Sequence, residues 1–274
     1  MHSETPLRIV VTGASSGIGN AVASALTTNG HIVLGLARRF PTPVAAFVNQ
    51  SAPSRQDIAC DVANWSQVAS IAEVLNQNWP AIDALICCAA IQGEICPTLA
   101  SDPQQWLDTV QTNLAGTYFP IRAFAPLLKK SNRRAKILCF SGGGASRARP
   151  NFSSYAASKT GVVRLVETIA SENDGLPLDI NAIAPGAVPT FMTDSIIAAG
   201  PELAGTQEYQ SALSLKESGT DPMKRALDLI EWLISPASDG VSGRLLSANW
   251  DPWKTLNSAH LKGTDIYKLR RVLP

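Results

Sequence analysis

LRIVVTGASSGIGNAVASALTTNG, residues 7–30, decides the fold. Its first residues are a β-branched, apolar run of strand length that closes on Gly13. From Ser16 the pattern becomes that of an amphipathic helix, with Gly30 at its end. Gly13, Gly17 and Gly19 lie in the turn between the two, with Ser15, Ser16 and Ile18 beside them. Glycine permits a tight turn and lets backbone N–H groups approach a diphosphate, and the helix N-terminus adds its positive dipole end. Strand, glycine turn and helix in this order predict a dinucleotide-binding unit.

The alternation continues along the chain. Apolar strands are expected at 31–38, 57–61, 82–90, 135–144, 178–186 and 244–248, and helices at 65–79, 152–173 and 222–234. A long helical stretch from about Pro103 to Lys130 contains Pro120 and Pro126. A loop-rich region is expected over about 186–220. Strands of five to eight apolar residues separated by helices predict a single α/β domain over 1–248, with a Rossmann-type doubly wound parallel sheet. The segment 249–274, with Trp250 and Trp253 in NWDPW and a basic end, is expected as a tail packed on the same domain or on a neighbouring subunit.

Composition narrows the function. The chain has 274 residues, 45% hydrophobic and 16% charged, with a formal net charge of +1. Such a balance gives no global field to recruit nucleic acid or an anionic membrane. The basic cluster Lys129, Lys130, Arg133, Arg134 and Lys136 is expected to sit in solvent at a helix C-terminus. No apolar run approaches membrane-spanning length, and MHSETPLRIVV lacks the pattern of a signal peptide. Five cysteines and three scattered histidines (His2, His31, His260) offer no metal-ligand spacing. The expectation is a cytoplasmic protein with reduced, buried thiols and no metal.

The end of the second strand bears on the cofactor. An acidic residue there would bind a ribose 2′-hydroxyl. The chain has Arg38 and Arg39 instead. Two guanidinium groups can hold a 2′-phosphate bidentately, so NADP(H) is expected over NAD(H).

The segment SGGGASRARPNFSSYAASK, 141–159, carries the candidate chemistry. Tyr155 and Lys159 are four apart in a helical pattern and share one face. A cation near a phenol favours the phenolate, and a phenol of lowered pKa can exchange a proton with a carbonyl or alcohol oxygen.

TGASSGIG at 12–19, Asn113 in a central helix, YAASK at 155–159 and PGAVPT at 185–190 together resemble the short-chain dehydrogenase/reductase family, in its single-domain subtype. The resemblance covers roughly residues 7–248. It implies Tyr155 as general acid/base and Lys159 as the residue that binds the nicotinamide ribose and depresses the tyrosine pKa. It implies that Asn113 holds a relay water. Asp61 and Val62 would contact the adenine, Ala89 would lie by the cofactor, and Pro185, Gly186, Val188 and Thr190 would hold the carboxamide side of the nicotinamide. It further implies a homodimer or homotetramer built through the helices near 103–130 and 152–173.

Two departures stand out. Family members usually carry a serine thirteen residues before the tyrosine, and here Gly142 occupies that position. Either Ser141 reaches the substrate through a bend, or the backbone N–H groups of Gly142–Gly144 act as a small oxyanion hole. In an ideal strand Ser141 faces away from Tyr155. Cys87, Cys88, Ala89 and Ala90 replace the family's Asn-Asn-Ala-Gly stretch. Gly142 and Gly143 would leave room for a bulky substrate, and Arg147 and Arg149 could grip its carboxylate or phosphate.

The function expected is an NADP(H)-dependent oxidoreductase that interconverts a ketone and a secondary alcohol, as a biosynthetic ketoreductase. Reduction of a C=C or C=N bond is the alternative within enzymes. A dinucleotide-binding sensor or scaffold that has lost turnover is the alternative outside them.

Overall fold

The computed structural model describes residues 5–172, 175–217 and 222–271. His2, residue 173 of the helix expected over 152–173, 218–220 of the expected loop region and 272–274 of the tail lie outside the described residues. In chain order the strands are β1 (Arg8–Thr12), β2 (Ile32–Ala37), β3 (Ser54–Ala59), β4 (Ala84–Cys87), β5 (Ala135–Phe140), β6 (Leu178–Ala184) and β7 (Leu245–Ser247). The main helices are α1 (Gly17–Thr28), α2 (Trp65–Asn78), α3 (Pro103–Val110), α4 (Gly116–Leu128), α5 (Ser153–Glu172), α6 (Phe191–Ala204), α7 (Thr206–Glu217) and α8 (Pro222–Ile234).

The strands form one parallel sheet in the order β3-β2-β1-β4-β5-β6-β7. Val10 pairs with Leu34 on one side and Leu85 on the other, so the centre of the sheet is apolar throughout. Side chains alternate between faces. Val10 joins the cluster with Ile71 of α2, Phe124 of α4 and Val162 of α5. Its neighbours Ile9 and Val11 join Val22 of α1 and Leu229 of α8 on the other face. Helices thus cover both faces, as a parallel sheet requires.

Winding reverses between β1 and β4, which opens a crevice at their C-terminal ends. β4 stops at Cys87 and β5 at Phe140, earlier than the apolar pattern suggests. Cys88–Ala90 therefore belong to a loop that lines the crevice, and Ser141–Gly144 to the loop after β5. β3 is displaced toward the N-terminus, from the expected 57–61 to Ser54–Ala59. Its first residues are polar because it is an edge strand, so hydrophobicity did not mark it.

The expected loop region is helical. Thr190 stands at the N-cap position of α6, with its N–H donating to Thr193 Oγ1 at 3.4 Å. A kink at Gly200 (φ 72°) before Pro201 splits α6, which hides its period from a sequence reading. The long central helix breaks at a π-turn, Gln111–Ala115, rather than at its prolines.

The tail folds back on the same chain. Arg244 donates to the carbonyls of Thr264 and Ile266 at 2.8 and 2.6 Å, and Arg270 pairs with Glu167 of α5. Trp253 is buried against Trp232, whereas Trp250 is exposed. Lys136 does not sit in solvent: it is buried between Asp179 and Asp239 at 2.9 and 2.7 Å. Among the described residues no helix is long and apolar enough to cross a membrane. None of the five cysteines is bonded to another; Cys60, Cys87 and Cys139 are buried, and Cys88 and Cys96 are partly exposed.

Candidate active site

The crevice at the reversal point is a cleft of about 720 Å³. Its floor is the glycine turn. A Cβ on Gly13 (φ 70°) would stand 2.7 Å from Ala89 Cα, so only glycine lets β1 and the segment after β4 meet there. A Cβ on Gly19 would strike the Gly13 carbonyl. Gly17 faces Thr190 across the cleft, with 3.4 Å from its would-be Cβ to Thr190 Cγ2. Ser15, Ser16, Ile18, Asp61 and Val62 line the same space. A cleft of this volume with a glycine backbone floor at a helix N-terminus fits an extended dinucleotide.

Arg38 and Arg39 are exposed at the end of β2 and line the cleft. Arg39 Nη2 donates to Ser16 Oγ at 2.9 Å, which holds the guanidinium against the glycine turn. Sequence reasoning missed Arg55 of β3. It donates to the Ala14 carbonyl, Asn20 and Ser24 and pairs with Asp57 at 2.9 Å, so it props the turn from behind. A lone arginine in a polar edge strand gave no signal.

Tyr155 and Lys159 lie on the buried face of α5. Lys159 Nζ donates to the Phe140 carbonyl at 2.9 Å and lies 5.6 Å from the tyrosine ring centroid. Burial lowers the lysine pKa to about 8, against the pull of the Cys88, Cys139 and Cys87 thiols. Burial also pushes the Tyr155 phenol above its ordinary value, and Arg149 pulls the other way. The downward shift expected from Lys159 is therefore not the net result: desolvation outweighs it, and the cation acting on the phenol is Arg149.

Asn113 sits fully buried in the π-turn. Its Oδ1 accepts from Ile91 N at 2.8 Å, and its Nδ2 donates to Ile91 O and Ser158 Oγ at 3.0 and 3.1 Å. The side chain thus clamps the segment after β4.

The serine question resolves geometrically. A Cβ on Gly142 would stand 2.8 Å from Tyr155 Oη, so position 142 faces the phenol directly. Ser141 does not substitute. It is buried, its N–H donates to Ile183 O, and its Oγ donates to the Lys159 carbonyl at 3.3 Å. The strand's last ladder bond holds it on the wrong side. The N–H groups of Gly142 and Gly143 donate to no acceptor among the described residues.

The tyrosine is covered. It packs with Phe152, Ile196, Ala204 and Ala212, which puts α6 and α7 over it. Met192 lines the cleft and also packs against this cluster, forming the wall between them. Arg149 stacks on Phe152, 3.8 Å to the ring centroid, and pairs with Glu208 of α7 at 2.9 Å. It is therefore already engaged by a carboxylate of this chain, and the expected grip on an anionic substrate meets that partner first. Arg147 is exposed on the loop and lines no part of the cleft. Of the residues expected at the carboxamide, Thr190 lines the cleft, while Pro185, Gly186 and Val188 lie outside its lining.

Comparison with known proteins agrees with this geometry. The short chain dehydrogenase family profile matches residues 8–200. A short chain dehydrogenase of Monascus purpureus, mpl6, is 30% identical over 251 residues, covering 89% of this chain and 80% of that protein. The 3-oxoacyl-(acyl-carrier-protein) reductase of Haemophilus influenzae is 27% identical over 187 residues, 68% of this chain and 75% of that one. A solved short chain dehydrogenase from Escherichia coli CFT073, complexed with NADPH, is 26% identical with a TM-score of 0.71, covering 89% of this chain and 96% of that one. With its glycine turn, Tyr155–Lys159 pair and seven-stranded sheet, this chain belongs to the short-chain dehydrogenase/reductase family.

Proposed function

We propose that the chain is an NADP(H)-dependent oxidoreductase that interconverts a ketone and a secondary alcohol, with Tyr155 as general acid/base. The observation that carries this reading is the approach of Tyr155 Oη to Gly142, where the phenol fills the room expected for substrate, with Lys159 one turn further along the same buried face. Gly13, Gly17 and Gly19 would hold the diphosphate, and Arg38 and Arg39 the 2′-phosphate. Asp61 and Val62 would meet the adenine, Ala89 the adjoining ribose, and Pro185, Gly186, Val188 and Thr190 the carboxamide. When bound, the nicotinamide supplies or accepts a hydride.

The chain's own groups do the rest. Tyr155 holds its proton at neutral pH, as an ordinary phenol does, and burial pushes its pKa higher still. It can give that proton to a carbonyl oxygen as general acid. Lys159 stands behind it to bind the ribose. The free N–H groups of Gly142 and Gly143 offer a second pair of donors to the same oxygen, in place of the serine. α6 and α7 exclude water from the phenol.

Support comes from the relatives. One is named for reduction of a 3-oxoacyl group, a ketone, and one was solved with NADPH. The missing side-chain donor at 142 favours one second reading, reduction of a C=C or C=N bond, which has no oxygen to bind there. A biosynthetic role in the cytoplasm, and a homodimer or homotetramer through the helices of 103–130 (α3 and α4) and α5, complete the proposal.

The test is a titration with NADPH and NADH, followed by NADPH oxidation with a ketone panel. Tighter NADPH binding, and turnover lost in Tyr155→Phe with cofactor binding kept, are expected. Turnover that survives Tyr155→Phe overturns the role of the phenol.

A further inference from the structure

We infer that Gln92 is a substrate-binding residue that selects ketones carrying a second oxygen-bearing substituent. The inference rests on the oxidoreductase reading above and adds a substrate class to it.

Gln92 lies five residues past the end of β4 and lines the cleft. It is only 8% exposed, and its Nε2 is shut from solvent with no hydrogen-bond partner. Buried amide groups in folded proteins are nearly always partnered, so an orphan on the wall of a ligand cleft marks a group kept for a ligand. Exchanging the amide O and N leaves the same conclusion, because neither end has a hydrogen-bond partner among the described residues.

The backbone holds this side chain in place. Ile91, on one side, is clamped at both its N–H and its carbonyl by Asn113. Gly93, on the other side, has φ 72°, and a Cβ there would strike Thr109 Oγ1 and Ser154 Oγ. Ser154 is the residue before Tyr155. Gln92 thus sits on a clamped segment that passes close to the first turn of α5, which carries the phenol. That suits a positioning group, whose value depends on preorganisation.

Its position also defines what it meets. Ile91, Gln92 and Gly93 line the cleft, and Ile95 packs against the cluster around Tyr155. The segment 91–95 therefore runs from the cofactor space to the phenol. A substrate with its carbonyl oxygen at Tyr155 and its reacting carbon at the cleft must lie along this segment. One oxygen is taken by Tyr155. The amide of Gln92 then calls for a second, neutral oxygen a short distance away, a hydroxyl or a further carbonyl. An apolar ketone leaves the amide as unpaired as it is in the ligand-free chain, whereas a second oxygen pairs with it, so the amide favours the oxygen-bearing substrate.

The experiment uses the full chain saturated with NADPH. The probes are cyclohexanone and its 2-, 3- and 4-hydroxy derivatives. The Gln92 side-chain amide resonances, assigned by their absence in Gln92→Met, report contact directly and without turnover. At least one hydroxylated probe is expected to shift them, and cyclohexanone is not. In Gln92→Met, kcat/KM for that probe falls about tenfold, while cyclohexanone changes less than about twofold. Resonances unmoved by every probe overturn the proposal, as does equal selectivity in the two proteins. If the variant fails to fold, the wild-type shifts decide alone, with Gln92→Glu supplying the assignment. Shifts without NADPH oxidation would overturn the oxidoreductase reading and leave the ligand contact standing. Oxidation with no selectivity change would do the reverse.

Discussion

Gly142 and Tyr155 face each other so closely that a Cβ on the glycine would stand 2.8 Å from the phenol oxygen. That distance is too short for a carbon–oxygen contact, and the ring cannot swing away because it is buried against Phe152 and Ile196. Gly142→Ala should therefore overpack the site, at about 1–3 kcal/mol. Chemical denaturation reads this as a lower midpoint. Turnover should fall with it, because the phenol is displaced. Gly142→Ser meets the same crowding but brings back a hydroxyl donor, so its kcat should exceed that of the alanine variant. Equal kcat in the two would mean that a donor at 142 has nothing to bind.

Arg39 is tied to the glycine turn through Ser16 Oγ, which places a guanidinium beside the expected ribose. Hydrogen bonds to charged groups contribute about 1.5–3 kcal/mol. Arg39→Ala should then weaken NADPH binding about 10- to 100-fold and leave NADH binding within about twofold. Cofactor fluorescence titration measures both. A parallel loss for the two cofactors would place Arg39 on the diphosphate rather than on a 2′-phosphate.

The sequence and the structure part company where burial, not pattern, decides. The glycine turn was legible because a backbone requirement leaves glycines at fixed spacing. Tyr155 and Lys159 were legible because helix periodicity puts them on one face. Strand ends were not. Apolar residues continue past Cys87, yet the ladder stops there, and the loop that lines the cleft begins; β5 likewise stops at Phe140, short of the expected 144. The consequence reached Ser141, whose last ladder bond turns its hydroxyl to Lys159. α6 and α7 were hidden because Gly200, Pro201 and many small residues blur their period. Gln92 was invisible, since an orphaned amide is a property of surroundings and leaves no mark in sequence.

Arg149 and Glu208 join the loop after β5 to α7, with a second tie from Asn151 Nδ2 to the Leu203 carbonyl at 2.7 Å. These contacts hold the cover over Tyr155, so substrate entry requires them to yield. A partly exposed ion pair contributes about 1 kcal/mol. Glu208→Gln should speed hydrogen exchange in 206–217 about fivefold, with the strands of the sheet unchanged. Mass-spectrometric exchange resolves the two regions. Unchanged protection in α7 would show that apolar packing through Ala204 and Ala212 holds the cover without the pair.

Lys159 gives stability an unusual dependence on pH. Burial lowers its pKa from 10.5 to about 8 in the folded ligand-free chain. Between those values the unfolded chain carries a proton that the folded chain does not. Stability therefore rises with pH across this window, and the contribution is lost as pH falls through 8. Lys159→Met removes the titration. The stability of wild type relative to the variant should rise by about 2 kcal/mol between pH 7.5 and 9.5. Keeping below pH 10 avoids Tyr155, whose raised pKa acts with the opposite sign there. Urea unfolding of the two ligand-free proteins at three pH values measures the difference. A difference that stays flat would mean that Lys159 keeps its proton in the folded chain, and that the Phe140 carbonyl and the neighbouring thiols offset its burial in full.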